Sequence, residues 1–266
     1  MRRPFHKMHG LGNDFVIVDA RKKPFEVTPL LARAIADRRT GVGCDQLIVL
    51  EPSDSADLRM RIWNSDGGEV ESCGNATRCV VQLTGARRID SDGGPLEGAD
   101  LGDEVEVSLG EPRFGWDEIP LAYPLDTNPL PMAWDGLIRP VALNVGNPHL
   151  VFFVDDIDAV PLEELGLKIE HDPAFPERIN VNVAHADGDG IRLRTWERGA
   201  GLTLACGTGA CATAVAAIRT KRATSPVKVT MPGGSLTIGW AQGEPIRMRG
   251  SATHVFRGEM DLEALG

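Results

Sequence analysis

Two cysteine-glycine pairs, Cys73-Gly74 and Cys206-Gly207, lie in matching surroundings. In each, a tryptophan (Trp63, Trp196) precedes the cysteine by 10 residues, and an arginine (Arg61, Arg194) stands two residues before the tryptophan. Each cysteine follows a glycine-bearing loop and opens a run of small residues that reads as a helix. Unpartnered backbone N–H groups and aligned peptide dipoles at a helix start favour a thiolate and attract a carboxylate. Gly74 and Gly207 leave room for a substrate beside the sulfur. The pattern predicts two acid–base thiols, one removing a proton from a carbon and the other returning one to the opposite face, which inverts a stereocentre without metal or redox cofactor. So weak a carbon acid needs its developing enolate stabilised, and the paired helix starts supply a source. The alternative for both cysteines is an inert buried thiol.

Around them stand uncharged amides in or beside turns: Asn13, Gln46, Asn64, Asn147 and Asn180. Such side chains can hold ammonium and carboxylate groups without placing a full charge beside the thiols. Asn64 also fits a plain turn-forming role. Glu197-Arg198 offers an acceptor and a carboxylate-matching guanidinium, or else a surface charge pair. His149, after Asn147-Pro148, either orients a carboxylate or thiol or caps the turn. Cys44, Cys79 and Cys211 read as structural thiols. His149, His171, His185 and the cysteines lack tight ligand spacing, so no metal is expected. Gly207-Thr208-Gly209-Ala210-Cys211-Ala212 satisfies G-x-G-x-x-A but lacks the following acidic residue, which argues against a dinucleotide.

The elements that must position these residues repeat. Strands are expected at Phe15–Asp19, Gln46–Leu50, Leu58–Trp63 and Glu104–Leu109, with helices over 29–38 and 76–83. The second half offers Leu150–Val154, Arg178–Val183 and Ile191–Trp196 as strands, and 162–167 and 208–220 as helices. A hairpin follows at 227–230 and 236–240, split by Pro232-Gly233-Gly234. Gly12-Asn13 and Gly146-Asn147 each precede an apolar strand, and Asn13 lies 60 residues before Cys73 as Asn147 lies 59 before Cys206. The order and spacing indicate an internal duplication. The Pro-rich stretch from Pro112 to Pro140 reads as the linker zone. The expected halves are 1–117, completed by a last strand within 250–266, and 118–249.

The chain has 266 residues, 42% of them hydrophobic, enough for a substantial core in two halves of about 130 residues. Its net charge of −10 and lack of a basic run argue against nucleic acid. No apolar run is long enough to cross a bilayer, so no membrane partner is expected. The basic start leads into Gly10-Leu11-Gly12-Asn13-Asp14 rather than an apolar signal segment, and a cytoplasmic location is expected. Five cysteines, an odd number, read as reduced thiols.

Five segments together resemble the diaminopimelate epimerase family: residues 10–15, 64–67, 73–75, 146–149, and Glu197-Arg198-Gly199 running into residues 205–211. The resemblance spans essentially the whole chain. It implies an α/β fold of two pseudo-symmetric domains, each a curved, mainly antiparallel, barrel-like sheet around a central helix. It further implies cofactor-independent interconversion of LL- and meso-diaminopimelate, a small diamino dicarboxylic acid, by a homodimer. Cys73 and Cys206 match the two catalytic thiols, with Cys73 as base and Cys206 as acid from LL to meso and the roles exchanged in reverse. Asn13, Gln46, Asn64, Asn147, Asn180, Glu197 and Arg198 match substrate-binding positions, as do the backbone N–H groups around Gly74-Asn75 and Gly207-Thr208. Arg198 would read the distal carboxylate. Ala76, where the family pattern has a further glycine, Ser72 and Leu202 depart from it. Two other readings compete: a racemase of the proline type on the same scaffold, and a noncatalytic binder of small molecules.

Overall fold

Residues 15–18 and 47–50 are each buried without a break, as strands covered on both faces must be. They belong to the first of two units into which the computed structural model divides, Met1–Ser108 with Gly250–Gly266, and Leu109–Arg249. Residues 2–71 and 73–265 are described, so Ser72 lies outside the described residues.

In the first unit Asn13–Asp19 runs antiparallel to Arg2–Gly10 and parallel to Gln46–Glu51. Gln46–Glu51 is antiparallel to Leu58–Asn64, which pairs in parallel with Arg88–Asp90. Leu96–Asp100 and Val105–Ser108 extend the sheet antiparallel, and Thr253–Asp261 covers the other side of Arg2–Gly10. Helix α1 (Pro29–Ala36) starts at Thr28, whose Oγ1 accepts from Leu31 N–H at 3.2 Å, with proline in the first turn. It sets Ala32 and Ile35 into one cluster with Val16, Val18, Leu47, Val49 and Trp63. Strand alternation turns Phe15 and Ile17 the other way. There α2 (Gly74–Thr84) packs on the strands at both ends of the unit's sheet order and stops at Gly85, which takes the left-handed conformation with φ 70°.

The second unit repeats this order. Pro148–Phe153 is antiparallel to Val141–Asn144 and parallel to Asn180–Asp187. Asn180–Asp187 is antiparallel to Gly190–Glu197, which pairs in parallel with Val227–Met231. Gly234–Gly239 and Arg247–Gly250 complete an antiparallel run. Helix α3 (Leu162–Glu170) places Leu162, Leu165 and Ile169 against Leu150, Phe152, Val181 and Val183. Helix α4 (Gly207–Arg219) packs on the same strands through small residues, every one from Gly209 to Ala217 being buried. The fold is thus α/β, with two pseudo-symmetric, barrel-like sheets, each around a central helix.

Register sharpens the repeat. Leu47 pairs with Trp63 as Val181 pairs with Trp196, and Phe15 pairs with Gln46 as His149 pairs with Asn180. Gln46 and Asn180 therefore hold equivalent positions, as do Asn64 and Glu197, and Phe15 and His149.

One expectation needs correction, and one strand escaped the sequence reading. The Pro-rich stretch is no linker, because Ile119, Leu121, Leu130, Trp134 and Leu137 enter the second unit's core. Trp134 meets Phe152 edge to face at 6.0 Å, and its Nε1 donates to Asp172 at 2.8 Å. The basic start of the chain forms the nine-residue strand Arg2–Gly10. No helix among the described residues is long and apolar enough to cross a membrane.

Candidate active site

In the first unit, the hairpin turn at Leu11 and Gly12 delivers Asn13 to a strand start, both turn residues having positive φ, 55° and 87°. The glycine adopts this without strain, whereas the leucine does not. Asn13 Oδ1 accepts from Asn75 Nδ2 at 3.3 Å and faces Cys73 Sγ at 3.8 Å. Its amide nitrogen donates to Asp45 at 3.0 Å. Cys73 is the N-cap residue of α2 and is half-buried. Asn75 is held in turn by Arg78, a fully buried guanidinium that donates to Asn75 Oδ1 at 2.7 Å and to the Ser251 carbonyl at 3.3 Å. One buried cation thus ties the first turn of α2 to the C-terminal segment. On the neighbouring strands Gln46 Nε2 donates to Asn64 Oδ1 at 2.8 Å. Gln46 Oε1 is buried with no hydrogen-bond partner among the described residues. Asn64 also closes the turn to Gly68 through its backbone, so its turn role and its contact with Gln46 coexist.

In the second unit, Cys206 caps α4, and its Sγ accepts from Gly209 N–H at 3.3 Å and lies 3.5 Å from Thr208 Oγ1. The helix-start argument favours a thiolate here, but the structure reverses the balance. Burial, then the Glu197 carboxylate, hold the Cys206 pKa well above the usual thiol range, against the smaller pull of Thr208 and Gly209. Cys206 is therefore a proton-bearing thiol in this state. Glu197 accepts from Thr203 Oγ1 at 2.6 Å. Arg198 donates its backbone N–H to Asn180 Oδ1 at 2.9 Å and its guanidinium to the Glu177 carbonyl at 3.0 Å. Glu197 and Arg198 thus have separate partners and form no surface ion pair. Their loop is anchored by the buried Glu170, which accepts from Trp196 Nε1 at 2.8 Å and from Gly199 N–H at 2.9 Å.

His149 has no exposed surface; its Nε2 lies 2.9 Å from Asn147 Oδ1 and its Nδ1 3.0 Å from Asn182 Nδ2. Burial first, and Arg198 second, push its pKa down to about 3, so the ring is neutral. Asn180 donates to the Pro148 carbonyl at 2.8 Å.

The structure thus gathers Asn13, Cys73, Gly74 and Asn75 at the start of α2, with Gln46 and Asn64 paired at the ends of adjoining strands. In the other unit it links Asn147 to His149, Asn180 to Arg198, and Cys206 to Thr208 beside Gly207, with Glu197 near the thiol. Sequence reasoning missed Arg78, Glu170, Asn182, Thr195 and Thr203. Asn182 and Thr195, whose Oγ1 donates to Asn182 Oδ1 at 3.0 Å, lie on strands that alternate polar and apolar residues, so their local pattern does not mark them. Cys44, Cys79 and Cys211 are buried, as expected of structural thiols. Leu202 is exposed and paired with Trp196, and Ala76 is buried in α2.

The model of the family described as diaminopimelate epimerase matches residues 5–114 and 141–255. A diaminopimelate epimerase of Rhizorhabdus wittichii is 64% identical over 269 residues, covering 100% of this chain and 98% of that protein. One from Sphingopyxis alaskensis is 62% identical, covering 98% of each. The solved structure of a phenazine biosynthesis protein of the PhzF family from Enterococcus faecalis shares the fold, with a TM-score of 0.72 at 13% identity over 98% of this chain and 100% of that one. Two N-cap cysteines on a repeated scaffold, matched along the full length by such relatives, show that the chain belongs to the diaminopimelate epimerase family and is an enzyme of the racemase and epimerase type.

Proposed function

We propose that the chain converts LL-diaminopimelate to meso-diaminopimelate by a cofactor-independent two-base reaction, with Cys73 as base and Cys206 as acid. The Cys73 thiolate takes the α-proton, leaving its electron pair in the enolate-like carboxylate. The Cys206 thiol then gives its proton to the opposite face of the α-carbon. The enzyme is left with a Cys73 thiol and a Cys206 thiolate, which is the state that starts the reverse reaction. The observation that carries this reading is the repeated site itself: a cysteine at the N-cap of the central helix of each unit, with polar pairs in equivalent register beside it. Burial and the Glu197 carboxylate, which keep the Cys206 proton in place, support its assignment as the acid.

In this reading Asn13, Gln46, Asn64, Asn147 and Asn180 hold the substrate's polar groups, with Glu197 and the backbone N–H groups of Gly74, Asn75, Gly207 and Thr208. Arg198 reads the distal carboxylate. Purified enzyme with LL-diaminopimelate in deuterated water should place one deuteron at the inverted α-carbon, whereas Cys73→Ala and Cys206→Ala should each fold and lose epimerisation by at least about 10³-fold. Full turnover by either variant, or turnover of proline alone, would sink the assignment.

A further inference from the structure

Positions that are apolar in the first unit are polar at the equivalent places of the second. Ile48 and Ile62 form a register pair; Asn182 and Thr195 form the matching one. Phe15 corresponds to His149, and Ala76, three residues after Cys73, corresponds to Gly209, three after Cys206. His149, Asn182 and Thr195 are all buried, with exposures of 0%, 0% and 3%. Burying these groups costs more than burying the first unit's hydrocarbon unless every bond is made.

Their hydrogen bonds run in one direction. Thr195 Oγ1 donates to Asn182 Oδ1 at 3.0 Å, which fixes the orientation of that amide. Asn182 Nδ2 then donates to the Leu150 carbonyl at 2.9 Å and to His149 Nδ1 at 3.0 Å. An accepting Nδ1 places the neutral ring's proton on Nε2, which faces Asn147 Oδ1 at 2.9 Å. Asn147 must then accept through its oxygen, leaving its two amide protons to be offered elsewhere. The space for this chain is itself built in. A Cβ at Gly209 would stand 2.7 Å from Asn182 Oδ1 and 2.9 Å from Thr195 Oγ1.

We propose that Asn182, backed by Thr195, is a positioning residue that sets the tautomer of His149 and thereby turns the amide donors of Asn147 toward a substrate carboxylate. The part concerning substrate rests on the proposed function above; the tautomer does not. Two measurements test it. Long-range proton–nitrogen spectra of enzyme labelled at histidine should show His149 protonated at Nε2 alone. In Asn182→Leu, which removes the donor, the Nδ1 form should appear; Asn182→Asp, which presents an acceptor of the same shape, should protonate Nδ1 outright and serves where the leucine variant does not fold. An unchanged His149 signature in a folded variant overturns the proposal. In kinetics, Asn182→Leu should raise KM for LL-diaminopimelate by about 10-fold with kcat changed less than about 3-fold, and adding Asn147→Ala should bring no further loss beyond Asn147→Ala alone. Effects that multiply in the double variant mean that Asn182 acts elsewhere, which also overturns it. Unchanged KM in Asn147→Ala, or a wild type inactive on this substrate, would instead refute the functional reading, leaving the spectra to decide the tautomer.

Discussion

A histidine with no exposed surface must fold in its neutral form, and in acid this turns against the folded state. The unfolded chain's histidine titrates near 6.5, while burial and then Arg198 push His149 down to about 3. Its contribution to stability is therefore complete above pH 6.5 and is lost as pH falls through that value towards about 3. We expect the wild-type melting temperature to fall more steeply between pH 7 and pH 4.5 than that of His149→Phe, which carries the residue found at Phe15. Parallel slopes would show that His149 is not the group that titrates. Asp14 acts in the same direction at lower pH. Burial would raise its pKa, but hydrogen bonds from Arg38 and Lys7 outweigh this and hold the carboxylate well below its usual range. The sequence made the thiols and the turn amides legible, because glycine neighbours and repeated spacing mark them. It hid Asn182, since Asn180-Val181-Asn182-Val183 alternates like a strand with a solvent face, although all four residues are buried. Only a helix behind that face makes the asparagines interior.

Element boundaries were legible where small residues or apolar runs mark a packed face. Helices expected over 76–83 and 208–220 occur as Gly74–Thr84 and Gly207–Arg219. Arg2–Gly10 was masked by its own charge. Arg3 points inward, donating to the carbonyls of Lys23, Pro24 and Asp19 and lying over the Phe25 ring at 4.9 Å. An inward arginine breaks the apolar alternation from which strands are read. The Pro-rich stretch misled for the complementary reason: prolines remove local pattern, and its burial is decided by the strands it covers. In α3, Gly166 looks like a helix defect, yet a Cβ there would lie 2.6 Å from Cδ2 of the Trp196 ring. Gly166→Ala should lower stability by about 1–3 kcal/mol through overpacking, against a helix-propensity gain of about 1 kcal/mol. Urea unfolding checks this; a midpoint equal to or above that of wild type would contradict the packing argument.

At the scale of the whole molecule, the first unit is assembled from both ends of the chain. Thr253–Asp261 pairs with Arg2–Gly10 from Arg2↔Asp261 to His9↔Thr253, and Met260 enters the same core cluster as Phe5. Removing residues 250–266 should cost the first unit about 3 kcal/mol or more through lost pairing and uncovered apolar surface. The amides of Arg2–Gly10 should then exchange with solvent faster while those of Pro148–Phe153 keep their protection. Equal protection in both strands would mean that the last strand is dispensable. The same topology bears on how the chain is made. A ribosome releases residues 1–108 long before it reaches residue 250, so the half synthesised first must wait for its last strand while the half synthesised second, Leu109–Arg249, already has all of its own. The usual order of birth and completion is inverted. During that interval the edge of Arg2–Gly10 stands open, an unpaired strand edge of the kind that chaperones cover.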